Sequence, residues 1–261
     1  MPLSNDTIEE LATVVDDAAR HKEPIVMLTA DHPEMTLDDA YTIQRRSMAR
    51  RIERGESVVG MKMGLTSTAK MEQMNVHNPI YGHLTDSMML PDGATIDRHN
   101  YCHPRVEAEL AFVMSEDIQG EVGPRQALSA VEGVCAAIEI IDSRYKDFEF
   151  TLIDVVADNA SSTGFAVGPV LKPAQALELG NLGMVMSING EVVETGSSAA
   201  ILEHPARSLA ALITMLAERD EGLRAGQTVL AGSATKAVHI NSGDRVELDV
   251  DTLGSVQLQV Q

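Results

Sequence analysis

A chain of 261 residues can bury a substantial core, and with 44% hydrophobic against 23% charged residues it is too apolar to be disordered. Its 39 acidic residues against 20 Lys and Arg give a net charge of −19, a field that repels nucleic acid and anionic membrane surfaces, so neither is expected as a partner. Two cysteines make no disulfide framework, the first residues lack a signal-peptide pattern, and no apolar run approaches the ~18 residues that span a bilayer; the expectation is a cytoplasmic protein.

The first part of the chain reads as helical. Asn5 and Asp6 are placed to cap a helix in which Ile8, Leu11, Val14, Val15 and Ala18 recur at helical spacing. A second helix is expected after Thr36, with Asp38 and Asp39 in its first turn, running to about Arg54 and stopped by Gly55. From Val58 the texture changes to short apolar runs broken by Gly, Pro and Asp. Val58 to Met63 and Arg105 to Met114 read as strands, Arg125 to Ala137 as a helix, and Ile138 to Ile141 as a further strand. Pro205 opens a helix through Arg219. At the C-terminus Val246, Leu248 and Val250, then Val256, Leu258 and Val260, alternate with polar residues around a turn at 252–255. The fold class is therefore α+β, with a mainly helical N-terminal region over residues 1–57 and a larger β-rich domain over 58–261.

In the strand around Arg105, residues two apart share a face, so Glu107 and Glu109 point the same way, roughly 7 Å apart along the chain. Ala111 and Val113 continue that face, which turns apolar just beyond the acids, while Val106, Ala108, Leu110 and Phe112 form the other. Two like charges beside an apolar surface are costly without a cation. Glu139 repeats the anomaly inside the run Ala136 to Ile141. Three Glu with no nearby Cys or His make an oxygen donor set suited to Mg²⁺ or Mn²⁺; the alternative is a solvated strand face. Lys62, alone among Val58, Val59, Met61 and Met63, is either an edge-strand lysine or a desolvated ammonium that holds a substrate carboxylate or exchanges a proton.

Other chemistries find no support. His77, His83, His99 and His103 lack zinc-site spacing, phosphate-binding glycine loops are absent, and Gly64-Leu65-Thr66-Ser67 is not a nucleophile elbow. The 14 Met and scarce aromatics, 3% of the chain with no Trp, read as core filler and argue against base-stacking platforms.

Several segments in register carry a resemblance. They are Lys62 to Ser67, Pro104 to Glu109, Glu139 to Tyr145, Val156 to Ser162, and Gly243 to Val246 with Leu253-Gly254. On them the chain resembles the fumarylacetoacetate hydrolase superfamily, in the branch of 2-hydroxypenta-2,4-dienoate hydratases and 4-oxalocrotonate decarboxylases. The resemblance implies a mixed β-roll or sandwich core, Mg²⁺ or Mn²⁺ held by Glu107, Glu109 and Glu139, and Lys62 as the active-site lysine. By the same resemblance Asn159 and Ser161 are candidates for polar substrate contacts, an Asn-Ser segment being equally a turn.

Hydratases of the branch often carry an aspartate in a Gln-Pro-Asp-Phe-Gly-like segment, where this chain has Asn78-Pro79-Ile80-Tyr81-Gly82. Ile80 can neither handle a proton nor position a water, so it favours a decarboxylase, as do Asn75 to His83 and Arg144 to Phe148 by similarity. The implied activity is a metal-dependent carboxy-lyase, converting 4-oxalocrotonate (2-oxo-3-hexenedioate) to 2-hydroxypenta-2,4-dienoate and CO₂ in meta-cleavage catabolism of aromatic compounds. The alternatives are the hydratase, an acylpyruvate hydrolase, and a non-catalytic partner subunit. A homo-oligomer, and a complex with a companion hydratase, are implied as well.

Overall fold

The structure, a computed structural model, describes residues 2–67, 71 and 78–261. His77, and the part of the decarboxylase-like segment from Asn75 to His77, lie outside the described residues. The chain opens with α1 (Asn5–His21), the single turn α2 (Leu28–Asp31) and α3 (Leu37–Glu53). Ser4 caps α1, its Oγ accepting from the Thr7 N–H at 3.1 Å; Asn5 and Asp6 already belong to the helix, and a cap must be extended. Thr36 and Asp39 form a reciprocal capping box on α3, and Gly55, at φ +104°, follows its end as expected. α1 and α3 pack together around Asp16, which takes Arg50 at 3.0 Å and Arg54 at 2.6 and 2.7 Å.

The strands begin with β1 (Val58–Gly64), β2 (Ile80–Thr85), β3 (Met89–Leu90), β4 (Ala94–Ile96) and β5 (Arg105–Met114). There follow α4 (Pro124–Ser129), β6 (Val131–Ile141), α5 (Leu152–Ala157), β7 (Ser162–Val167), β8 (Gly183–Ile188) and β9 (Glu191–Ser197). The chain closes with α6 (Pro205–Ala217), β10 (Thr228–Leu230), β11 (Val238–His239), β12 (Arg245–Val250) and β13 (Gly254–Val260).

The helix expected over Arg125 to Ala137 is the one misread element: α4 stops at Ser129 and residues 131–141 form a strand. That strand is buried on both faces, so its sequence shows no alternation, and Ala-rich apolar runs do not separate helix from strand. Its Val131, Val134, Ile138 and Ile140 were the available signal.

Among the described residues there are two sheets. The larger is mixed and eight-stranded, in the order β2-β1-β10-β5-β6-β7-β3 with β11 also on β5; the smaller runs β4-β13-β12-β8-β9. Val106, Ala108, Leu110 and Phe112 on one face of β5 belong to the main core, which also takes Val246, Leu248, Val256 and Leu258 from the smaller sheet. Fully burying such side chains contributes about 1.5–3 kcal/mol each. Ala111, on the opposite face, joins Leu84, Met88, Cys135, Ala137, Phe165 and Leu230 in a second, smaller core. The glutamates of β5 therefore stand at the border of a sealed apolar region, as the alternation predicts. The α+β class, a mixed β core with a small helical N-terminal region, is the observed architecture.

Candidate active site

In the antiparallel pairing of β5 with β6, Glu107 lies directly opposite Glu139, and Glu109 follows two residues on. Facing positions on one sheet face bring side chains close, and each of the three carboxylates offers one oxygen such that all three lie within 4.8 Å of one another. Glu109 and Glu139 are wholly buried and Glu107 is 8% exposed. Glu109 Oε2 accepts the Gly232 N–H at 2.7 Å, while Glu109 Oε1 and Glu139 Oε1 have no hydrogen-bond partner. Burial, and then the charge of Glu139, drives the Glu109 carboxyl well above the usual range. Burial likewise pushes Glu139 up to about 7, against the pull of the Lys62 ammonium.

Lys62 comes from β1, which lies between β2 and β10, so the edge-strand reading of this lysine does not hold. It is 3% exposed, with Nζ 3.0 Å from Glu139 Oε2 and donating to the Ala160 carbonyl at 3.1 Å. Burial works against its charge, but Glu139, Glu107 and Glu109 together outweigh that cost and raise its pKa. Two orphaned carboxylate oxygens and an all-oxygen donor set of three converging glutamates fit a divalent cation.

A cavity of about 440 Å³ opens over this cluster, lined among others by Lys62, Glu107, Ile80, Ser161 and Arg105. A larger one of about 730 Å³ lies between α3 and α6, with Tyr41 and Met215 in its wall, and contains none of the acids. The chemistry places the site in the smaller. Ile80 pairs with Gly64 across β1 and β2; a Cβ at Gly64 would sit 3.1 Å from Ile80 Cγ1 and 3.8 Å from Lys62 Nζ, so glycine leaves both side chains their room.

Asn159, Ala160 and Ser161 take positive φ in succession, at 51°, 51° and 57°. Such backbone costs of order 1–3 kcal/mol per residue and persists only where the surroundings enforce it. Asn159 enforces one side, its Oδ1 accepting from the His83 N–H at 2.7 Å and its Nδ2 donating to the His83 carbonyl at 2.9 Å. Arg144 enforces the other. Buried, it pairs with the Asp158 carboxylate, donates to the Asp158 carbonyl, and reaches the Asp142 carbonyl at 2.6 Å and Thr163 Oγ1 at 2.7 Å. The turn thus aims the Ala160 carbonyl at Lys62 and puts Ser161 Oγ, buried and without a partner, at the cavity wall. Asn159 does not line that cavity; its amide is committed to β2.

Three features of the site escaped sequence reasoning. Gly232, at φ +111°, brings its N–H to Glu109 from a loop 123 residues away, and a Cβ there would collide with Thr66. The Arg144–Asp158 pair joins residues 14 apart that carry no local signal of contact. Arg105, two residues before Glu107, lines the same cavity.

Glu139 yields a pH prediction. Its folded pKa, about 7, lies above the 4.5 of an ordinary glutamate, so the metal-free fold gains from its proton below about pH 4.5 and loses that gain as pH climbs through 7. A cation that needs the ionised carboxylate is held better over the same rise. The increase in melting temperature produced by Mg²⁺ is expected to be small near pH 5 and to grow towards pH 8. A Mg²⁺ effect flat across that window would remove Glu139 from the ligand set.

Comparison with known proteins adds independent findings. The family model described as fumarylacetoacetate (FAA) hydrolase C-terminal matches residues 55–261. A 4-oxalocrotonate decarboxylase from Pseudomonas sp is 48% identical over 249 residues, covering 95% of this chain and 96% of the relative. A 2-hydroxyhexa-2,4-dienoate hydratase from Comamonas testosteroni is 37% identical over 246 residues, covering 93% of each. The solved structure of 4-oxalocrotonate decarboxylase from Pseudomonas putida G7, complexed with magnesium and adipate, matches at a TM-score of 0.97 and 42% identity, covering 99% of both chains.

Proposed function

The chain belongs to the fumarylacetoacetate hydrolase family, and from that premise we propose that it is a metal-dependent carboxy-lyase that decarboxylates 4-oxalocrotonate (2-oxo-3-hexenedioate) to 2-hydroxypenta-2,4-dienoate. The observation that carries the reading is the convergence of Glu107, Glu109 and Glu139 beside Lys62, in a cavity whose facing wall at residue 80 is isoleucine. The greater similarity to a decarboxylase than to a hydratase supports the same choice.

A divalent cation held by the three glutamates would supply the positive charge that stabilises the electron pair released as CO₂ departs. The bond to the distal carboxylate breaks, its pair moves through the conjugated system to the 2-oxo oxygen, and a proton there completes the enol. Lys62, kept as an ammonium by its neighbours, holds a substrate carboxylate or provides that proton. Ser161 Oγ, having no partner of its own, hydrogen-bonds the substrate. Ile80 presents only hydrocarbon to the diene and keeps an attacking water away. Asn159 acts on the substrate through the turn it fixes.

The oxygen donors suit Mg²⁺ and Mn²⁺ alike. The reading further includes a cytoplasmic homo-oligomer that passes its product to a companion hydratase, with the catalytic domain beginning at residue 58. Among the described residues no helix is long and apolar enough to cross a membrane.

Chelator-stripped protein given 2-oxo-3-hexenedioate should release CO₂ only after Mg²⁺ or Mn²⁺ is restored. Turnover of 2-hydroxypenta-2,4-dienoate without CO₂ release from the dicarboxylate would make the protein a hydratase and show that Ile80 does not decide the reaction.

A further inference from the structure

We propose that Arg105 is the anchor for the substrate's distal carboxylate, which makes the site select dicarboxylates over monocarboxylates of equal length. The inference rests on the function proposed above and deepens it. Arg105 opens β5 two residues before Glu107, so both side chains leave the same face of the strand, about 7 Å apart along it. Arg105 lines the cavity that also takes Lys62, Glu107 and Ser161. Its guanidinium carbon lies 3.8 Å from the centre of the Phe148 ring, and its Nε is buried with no hydrogen-bond partner.

Each of these facts limits what Arg105 can be doing. A solvated surface arginine does not bury a donor and leave it unpaired, because that costs about 1–3 kcal/mol. The Phe148 ring packs against the guanidinium, and Asp147 and Phe148 both hold positive φ, at 58° and 61°. A planar, oriented fork with a free donor is suited to bidentate recognition of a carboxylate. Lys62 is held at the acid cluster by Glu139 and the Ala160 carbonyl, so a carboxylate it holds is the one beside the glutamates and not the distal one. Among the described residues the other lysine lining the cavity is Lys236, which is exposed on a loop. In a chain of net charge −19, a dianion entering this cavity needs a second cationic centre besides the one at the glutamates, and Arg105 is placed to be it.

The test compares adipate with hexanoate, which differ only in the second carboxylate, by calorimetric titration of the Mg²⁺-loaded protein. The wild type should bind adipate about 10- to 100-fold more tightly. Arg105→Met, which keeps an unbranched stem against Phe148, should bring that ratio close to one while leaving hexanoate affinity unchanged. KM for 2-oxo-3-hexenedioate should rise by about the same factor, with kcat altered far less. Arg105→Gln should behave alike and guards against one variant failing to fold. A preference for adipate that survives in either folded variant, or that disappears in Lys236→Met instead, overturns the assignment. If the wild type releases no CO₂ yet Arg105→Met still abolishes the preference for adipate, the reaction has been misassigned and the anchor stands.

Discussion

Replacing Glu109 by glutamine is expected to leave the fold intact, with a melting temperature in chelator equal to or above that of the wild type, and to reduce metal-dependent turnover by at least about 10³-fold. The stability half of this result follows from burial. Glu109 is wholly buried, one of its oxygens has no hydrogen-bond partner, and desolvation with the neighbouring Glu139 charge pushes its pKa well above the usual carboxylate range. Glutamine has nearly the same shape and its carbonyl can still accept the Gly232 N–H, so nothing that stabilises the metal-free fold is removed. The activity half follows from charge: an amide oxygen is a poor substitute for a carboxylate on a divalent ion. Ligand binding to the folded state raises its melting temperature, so wild type should be stabilised by Mg²⁺ and Glu109→Gln should not. Melting curves with and without Mg²⁺, beside a CO₂ assay, check both halves. A variant that keeps the Mg²⁺ shift and full turnover would mean that Glu109 is not a ligand.

The acids were legible because they break a pattern. A strand that alternates around Glu107 and Glu109, and a lone Glu139 in an apolar run, are conflicts between local sequence and burial, and such conflicts collect at functional sites. The β12–β13 hairpin was legible for the opposite reason, its alternation being clean on a sheet with one buried face. β6 was misread because a strand covered on both sides has no alternation to show. What stayed hidden is what depends on distant chain. The Gly232 N–H that reaches Glu109, and the Asn159 amide that clamps His83 from 76 residues away, have no local signature. The left-handed turn at 159–161 contains no glycine, so the usual residue cue for positive φ is missing there. Arg144 was visible as a residue and not as a staple, since its partners at Asp158 and Thr163 lie 14 and 19 residues on and come to it only in the fold.

Lys62→Met should separate charge balance from catalysis. If Lys62 serves only to neutralise Glu139, its loss leaves that buried carboxylate without its ammonium, and Mg²⁺ bound at the acids restores balance at little cost in rate. If Lys62 also handles substrate or proton, the loaded variant is well folded and slow. The second outcome is expected: Mg²⁺ affinity equal to or tighter than wild type, because a competing ammonium 3.0 Å from Glu139 has gone, and turnover lower by about 10²–10⁴. Methionine suits the test because its unbranched stem fits between Met61 and Met63 on an interior strand, where a smaller residue would leave a cavity. The fold should depend on added Mg²⁺ more than the wild type does, since the unpaired Glu139 then has only the metal to oppose it. Calorimetry with Mg²⁺ and single-turnover kinetics at saturating metal would decide the matter. Turnover within about threefold of wild type, given tight Mg²⁺ binding, would leave Lys62 as a counter-ion and return the proton to solvent.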